Sequence, residues 1–103
     1  MSEQEVATPK AISVYDVIMA MVDQMSALAW QKMGLQPDMM TGKIVIDMDE
    51  AKVAVDLVAH LGSFIEPQLD ENDKREIHNL VRNLRLNYVQ KQKDATETAD
   101  GSA

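Results

Sequence analysis

Residues 13–33 of this chain read SVYDVIMAMVDQMSALAWQKM, and their apolar side chains recur with the period of an α-helix. One apolar face is formed by Val14, Ile18, Met21, Met25 and Leu28. A second face, next to the first, is formed by Tyr15, Met19, Val22, Trp30 and Met33. A surface helix usually carries one apolar stripe slightly wider than 100°, and this helix carries about twice that width. We therefore predict that it is buried on two sides, one inside the subunit and one against a partner.

The residues at both ends of this stretch favour a helix of that length. The Ser13 hydroxyl is placed to accept a hydrogen bond from the backbone N–H of Asp16, as in a capping box. At the other end, Gly34 suits the left-handed conformation that often follows a helix. Pro37 then blocks any continuation. The first helix is therefore expected to span the quoted stretch.

Two further helices are predicted after a connection through residues 34–46. Asp47 is the expected cap of a helix from about Met48 to Ile65, and Asp70 is the expected cap of a third helix that runs to about Gln92. The predicted buried stripes are Ala54, Leu57, Val58, Leu61 and Ile65 on the second helix, and Ile77, Leu80, Val81, Leu84 and Tyr88 on the third.

The remaining segments carry no helical period. Residues 44–46 are β-branched, but the run is too short and too isolated for a sheet, so we expect these side chains to pack onto the helices. Residues 1–11 are polar, and residues 93–103 are poor in apolar side chains. The sequence therefore predicts an all-α, three-helix domain over residues 12–92, a helical hairpin plus a long first helix, between two disordered arms.

Composition excludes several functional classes. The net charge is −7, so the molecule as a whole repels phosphate backbones and anionic membranes. The absence of cysteine rules out disulfides, thiolate catalysis and zinc sites that use cysteine. The sequence shows neither a signal peptide nor an apolar run long enough to span a bilayer, so we expect a cytoplasmic protein. A domain of this size has a small core for its surface, which dimerisation would relieve.

No residue pattern indicates catalysis or cofactor binding. His60 and His78 fall on the polar faces of different helices and match no metal-binding motif. The acids at residues 47–50 suit a helix start and lack the spacing of a calcium loop. Gly42-Lys43 lacks the rest of a phosphate-binding loop. We therefore expect no enzyme activity, no cofactor, no metal and no small-molecule substrate.

The third helix carries the one charge pattern that bears on function. No acidic residue occurs from Ile77 to Lys93, while Arg82 and Arg85 lie on one stripe opposite the predicted core, with Leu86 beside them. A solvated basic face that stabilises the helix dipole is the simplest interpretation. Contact with RNA is the functional alternative, although the helix has no aromatic platform and no RNA-binding signature.

Several short motifs follow one another in a recognisable order: SVYDV at 13–17, AW at 29–30 with MGL at 33–35, TGKI at 41–44, and LRLNYV at 84–89. In this order they resemble a bacterial family catalogued as domain of unknown function 1844. The resemblance covers roughly residues 13–91, and LRLNYV is its most specific part. It implies a small, cytoplasmic, helical bacterial protein. It implies no activity, substrate or catalytic residue.

These features together predict a non-catalytic protein-interaction module that forms a homodimer through its first helix. The residues expected to mediate self-association are Tyr15, Met19, Val22 and Trp30. The residues expected to contact a further protein partner are Arg82, Arg85 and Leu86. The alternative is an RNA- or ribosome-associated factor that uses the basic face of the third helix.

Overall fold

Three α-helices make up the fold, in agreement with the predicted all-α class. The computed structural model describes the backbone of residues 10–102 and the side chains of residues 10–96. The elements are α1 (Val14–Lys32), α2 (Met48–Ile65), a 3₁₀ turn (Glu66–Gln68) and α3 (Glu71–Ser102). The described residues include no strand. Most of the predicted N-terminal arm, residues 1–9, lies outside the described residues.

The end of α1 has the predicted form, whereas its start does not. Gly34 has a φ of 84°, its N–H donates to the Gln31 carbonyl, and the Leu35 N–H donates to the Trp30 carbonyl. These two bonds define a Schellman motif. The Ser13 backbone is extended, but its hydroxyl makes no cap hydrogen bond, so the predicted capping box is wrong. This end of α1 is exposed, and water can satisfy its free N–H groups.

Aspartate caps start α2 and α3 as predicted. A carboxylate oxygen of Asp47 accepts the Glu50 N–H at 3.0 Å. Asp70 accepts the Asp73 N–H in the same way at 2.8 Å. At its other end, α2 gives way to the 3₁₀ turn that contains Pro67, because proline disfavours the helical conformation of the residue before it.

The connection between α1 and α2 folds these helices into an antiparallel hairpin. The Asp47 N–H donates to the Lys32 carbonyl at 2.9 Å, so α2 begins beside the last turn of α1. Lys32 Nζ also lies 3.2 Å from Glu50 Oε1. α3 packs mainly against α2 and makes fewer contacts with α1.

Apolar residues 44–46 do not pack into the core, contrary to the expectation from the sequence. Ile44, Val45 and Ile46 are all exposed. The Asp38 N–H donates to the Lys43 carbonyl and closes a tight loop, which holds the segment at the end of the hairpin. The Ile46 side chain lies against Gly34, just after the end of α1.

The core lies between the three helices, along the predicted stripes. The fully buried residues of α2 and α3 are Ala51, Ala54, Val55, Val58, Gly62, Ile65, Ile77 and Leu84, with Leu61, Leu80, Val81 and Tyr88 half-buried. Leu57 is also only half-buried. α1 adds Val22, Ser26 and Ala29. Small residues on the facing sides of α1 and α2 allow the two backbones to approach closely.

α3 continues ten residues beyond its predicted end near Gln92, to Ser102. The sequence between them has no proline and no glycine before Gly101, and alanines favour the helix. Thr96 also donates to the Gln92 carbonyl, and Gln90 donates to Asp94. The predicted boundary at 92/93 is therefore wrong for the helix, although residues 92–96 are exposed and add nothing to the core.

Candidate interaction surfaces

The structure covers one of the two apolar faces of α1 and leaves the other open. Val22 is 0% exposed, and Met19 and Trp30 are half-buried against the core. Met33 is fully buried, while Tyr15, at the start of the helix, stays half-exposed. The face predicted to mediate self-association is thus packed mainly inside the subunit.

The proposed self-association set must therefore be corrected. Val22 belongs to the core of the subunit and is unavailable to a partner, and Met19 and Trp30 are largely unavailable too. The physical reason is that both faces of α1 are apolar, so periodicity alone does not tell which one turns inward. The buried face includes the small residues Ser26 and Ala29, which allow close packing against another helix. The open face has no such residues.

The open face of α1 consists of medium and large apolar side chains. Val14 is 69% exposed, and Val17 and Met21 are each more than 40% exposed. Ile18, Met25 and Leu28 lie on the same arc and are half-buried. Apart from Val17, these are the residues of the first face identified in the sequence, so that face rather than its neighbour remains uncovered.

α2 carries a second exposed apolar arc. Val53 is 67% exposed and Phe64 is 79% exposed, and Leu57 between them is half-buried. Their spacing of four and seven residues places all three on one side of the helix. Phe64 is the only phenylalanine of the chain, and its exposure is unusual for so large an apolar side chain.

Helix geometry places the two exposed arcs on the same side of the hairpin. For each helix, looking along the axis from its N-terminus, we compare the direction of the exposed arc with the direction of the buried residues. The exposed arc is rotated counter-clockwise from the buried residues, by about 120° on α1 and about 140° on α2. Two antiparallel helices are related by a two-fold axis. A rotation in the same direction on both helices therefore places both exposed arcs on the same side of the hairpin. The residues of α2 that face α3, such as Ala59 and Gly62, are displaced in the opposite sense.

The hairpin therefore has α3 on one side and an uncovered apolar surface on the other. We call this surface the open hairpin face; its members are Val14, Val17, Ile18, Met21, Met25, Leu28, Val53, Leu57 and Phe64. None of them is charged. Gln24 and His60 lie at its edges, and the Lys32–Glu50 ion pair lies at the end of the face near the start of α2. The exposure of Val14, Val53 and Phe64 shows that no other part of the described chain covers this face.

A second surface is the groove between α2 and α3, with a volume of about 450 Å³. Its floor is apolar and includes Ala59, Gly62, Ile77 and Val81. All three residues predicted to bind a partner border it: Arg82, Arg85 and Leu86. The structure thus brings this predicted set together, and Leu86 is exposed there.

The groove continues towards the start of α2. A smaller cavity of about 220 Å³ shares Arg85 and Val89 with the main groove and is also bordered by Lys52 and Tyr88. At the opposite end, His78 contacts a carboxylate oxygen of Glu66. We call the two connected cavities the α2–α3 groove.

The charged residues around the groove differ in whether they have a partner. Lys52 Nζ lies 2.9 Å from the Asp56 carboxylate, and this hydrogen bond and the charge of Asp56 raise the pKa of Lys52. Glu66 is engaged by His78. Within the described residues, no carboxylate lies within ion-pair distance of Arg82 or Arg85. The groove therefore presents two cationic groups beside an apolar floor.

The other polar residues singled out in the sequence serve as helix caps, ion pairs or turn residues, and they form no metal site within the described residues. Asp47 caps α2 and Glu50 pairs with Lys32. The turn before Gly42 is held by Asp38, whose carboxylate accepts the N–H groups of Met40 and Thr41. Among the residues that the structure describes, no three His, Asp or Glu side chains converge as metal ligands. In the same part of the chain, no helix combines the length and hydropathy that a bilayer crossing requires.

Sequence reasoning missed Val17, Val53 and Phe64 as surface residues. The signal was present for Phe64, because it lies at the edge of the predicted buried stripe of α2. Val53 also lies outside that stripe, because it is two helical turns before His60, which falls on the polar face. Large apolar residues outside a predicted stripe point to a second contact surface.

The comparisons with known proteins agree with the sequence resemblance. A family model described as Domain of unknown function (DUF1844) matches residues 15–90, which include α1, α2 and the packed part of α3. Searches of curated proteins and of solved structures each found no match. The match covers all of the open hairpin face except Val14, and all of the α2–α3 groove.

Proposed function

The chain belongs to the DUF1844 family, and we propose that it is a non-catalytic assembly module that forms a homodimer through the open hairpin face. The observation that carries this proposal is the set of exposed apolar side chains that α1 and α2 place on the side of the hairpin opposite α3. Monomeric proteins rarely leave a large, contiguous apolar patch exposed, and such patches mark sites of interaction.

The chemistry of the face favours a second copy as its partner. The chain carries a net charge of −7, so most contacts between two copies are repulsive. The open hairpin face is the region where two copies meet without burying like charges. In a two-fold symmetric dimer each copy contributes the same patch, so α1 and α2 of both copies form a four-helix bundle with α3 outside it.

The dimensions of the subunit support the same proposal. Its radius of gyration is 17.7 Å, whereas a compact domain of this length has one of about 13 Å. A small subunit with so much surface gains stability when a second copy covers its apolar side.

A non-catalytic role is supported by how the polar residues of the described part are used. They serve mainly as caps, as turn residues and as pairs one helical turn apart. The RNA alternative has weaker support, because Arg82 and Arg85 border an apolar groove rather than a continuous cationic surface. We therefore favour proteins over RNA as the partners of this module.

Sedimentation velocity over a concentration series tests the dimer. We expect the unmodified chain to sediment as a dimer at micromolar concentration. Met21→Glu places a charge in the open hairpin face and should weaken association by about 100-fold, because an unpaired charge in an apolar interface costs several kcal/mol. Ala20→Glu is the matched control: it adds the same charge at an exposed neighbouring position outside the face.

Two results would refute the dimer. One is a monomeric, folded chain at concentrations well above micromolar. The other is equal weakening by Met21→Glu and Ala20→Glu, since association would then depend on net charge rather than on the open hairpin face.

A further inference from the structure

From the α2–α3 groove we infer a second binding site, one that takes an acidic amphipathic helix of about three turns from another protein. This site is separate from the open hairpin face, because it lies on the side of α2 that faces α3.

The length of the groove fits a short helix. Its lining on α3 runs from Ile77 to Val89, a rise of twelve residues that spans about 18 Å of helix. A guest helix of about three turns covers the same distance. A groove between two helices is the shape that receives the apolar face of a third, through residues at i, i+3, i+4 and i+7.

The floor of the groove allows a guest to approach closely. Gly62 lets Ile77 of α3 pack directly over α2, which closes the bottom of the groove, and Ala59 beside it is small and half-buried. Val81, Leu86 and Val89 line the side formed by α3, and Leu86 and Val89 are exposed. These residues supply apolar contacts for aliphatic side chains of the guest.

The charges of the groove select an acidic guest. Arg82 and Arg85 are exposed, border the groove and have no carboxylate within ion-pair distance among the described residues. Glu66 and Asp56, the acids nearest the groove, are already engaged by His78 and Lys52. Carboxylates on the guest are therefore the complementary groups for both guanidiniums.

The overall charge of the chain makes this local pattern selective. A net charge of −7 repels an acidic helix from most of the surface, so attraction is confined to the neighbourhood of Arg82 and Arg85. Complementary charges at the rim of an apolar site fix the register of the guest more than they raise its affinity.

Fluorescence anisotropy with a defined probe tests the site on the full chain. The probe is a labelled peptide of about 12 residues with leucines at i, i+3, i+4 and i+7 and glutamates on both flanks. The control probe has lysine in place of every glutamate, and a labelled oligouridine tests the RNA alternative. We expect the glutamate peptide to bind at least about tenfold more tightly than the lysine peptide.

Variants of exposed residues locate the binding. The double variant Arg82→Glu and Arg85→Glu should bind the glutamate peptide about tenfold or more weakly than the unmodified chain does. Leu86→Glu should weaken it as well, since it places a like charge in the apolar part of the groove. Arg75→Glu is the matched control on the same helix, because Arg75 is exposed and does not line the groove, and it should leave affinity within about twofold.

Three results would overturn the inference: tighter binding of oligouridine than of the glutamate peptide, equal binding of the two peptides, or equal weakening by Arg75→Glu and the double variant. The outcome does not depend on the dimer. Met21→Glu changes the open hairpin face alone, and it should leave peptide affinity unchanged.

Discussion

Ile77 of α3 packs directly over Gly62 of α2, so closely that a Cβ on Gly62 would lie 2.8 Å from the Cγ2 atom of Ile77. The helix crossing therefore has no room for a methyl group on residue 62 beside the Ile77 methyl group. The absence of a side chain at Gly62 therefore sets how near α3 comes to the hairpin, and it also shapes the floor of the α2–α3 groove.

Gly62→Ala should destabilise the protein although alanine favours helices. The gain in helix propensity is about 1 kcal/mol, and forcing a methyl group into a packed crossing costs about 1–3 kcal/mol. We expect a net loss of roughly 1 kcal/mol in the free energy of unfolding, measured by urea denaturation at one fixed protein concentration. Ser63→Ala, at the exposed neighbouring position, is the control, and a Gly62→Ala variant as stable as this control would contradict the packing.

Gly34 and Gly42 both have a positive φ angle but differ in the space around them, so comparing substitutions at the two positions separates backbone strain from steric contact. Gly34 has a φ of 84° and Gly42 has a φ of 72°, so alanine at either position is strained by roughly 1 kcal/mol. At Gly34 the new Cβ would also lie 2.7 Å from Cγ1 of Ile46, whereas at Gly42 no neighbouring atom lies within 4 Å. Gly34→Ala should therefore cost more than Gly42→Ala in the same denaturation experiment, and combining Gly34→Ala with Ile46→Ala should remove much of the excess. Equal losses for the two single variants would show that Ile46 does not press on Gly34.

Ser26→Ala should stabilise the protein. The Ser26 hydroxyl is buried in the face of α1 that packs against the core, and no described residue forms a hydrogen bond with it. Removing an unsatisfied buried hydroxyl and gaining helix propensity should raise the free energy of unfolding by about 1 kcal/mol or more. Thermal denaturation checks this against Ser63→Ala, which changes an exposed serine. A gain no greater than that of Ser63→Ala would mean that the Ser26 hydroxyl is satisfied in the folded protein.

Asp38 makes the stability of the loop depend on pH at the acid end. Hydrogen bonds from the N–H groups of Thr41 and Met40 lower the pKa of Asp38. Because the folded-state pKa is depressed, the stabilisation is present above the ordinary aspartate value and is lost as the pH falls through the folded-state value. We therefore expect Asp38→Asn to lower stability at pH 7, and the difference from the unmodified chain to shrink as the pH falls below about 4, the ordinary aspartate value.

Denaturation midpoints at several pH values check this prediction. Asp23→Asn is the control for the loss of one carboxylate, because Asp23 is exposed and makes no described hydrogen bond or ion pair. If the stability difference between the Asp38→Asn variant and the unmodified chain stayed constant from pH 7 to well below pH 4, it would contradict the role assigned to the charge of Asp38.

Local sequence signals predicted the helices well. The aspartate caps at 47 and 70, the glycine at 34 and the proline at 67 act through neighbours a few residues away, so the sequence alone specifies them. The stripe of α3 was also predicted, because this helix has one dominant apolar face, whereas the stripe of α2 was predicted only in part, since Leu57 is half-buried and Val55 is buried instead. The end of α3 was not, since the helix continues through residues 93–96, whose exposed side chains give no apolar period to predict it from.

The choice between two apolar faces depends on tertiary packing, and here the sequence reasoning failed. Val22 and Met21 are adjacent and both apolar, yet one is fully buried and the other is exposed. Which of them turns inward is settled by how closely α2 can approach, and that depends on small residues such as Ser26, Ala29 and Ala54. By contrast, Arg82, Arg85 and Leu86 were correctly grouped, because residues three and four apart on one helix stay together in any packing.

An isotope-filtered NOE experiment on a mixture of labelled and unlabelled copies tests the open hairpin face most directly. The chain has a single phenylalanine, so contacts to the ring of Phe64 are assigned without ambiguity. We predict intermolecular NOEs among Phe64, the Met21 methyl group and the methyl groups of Val53 and Val14. A spectrum without intermolecular NOEs at concentrations well above micromolar, or with such NOEs only from α3, would contradict the account.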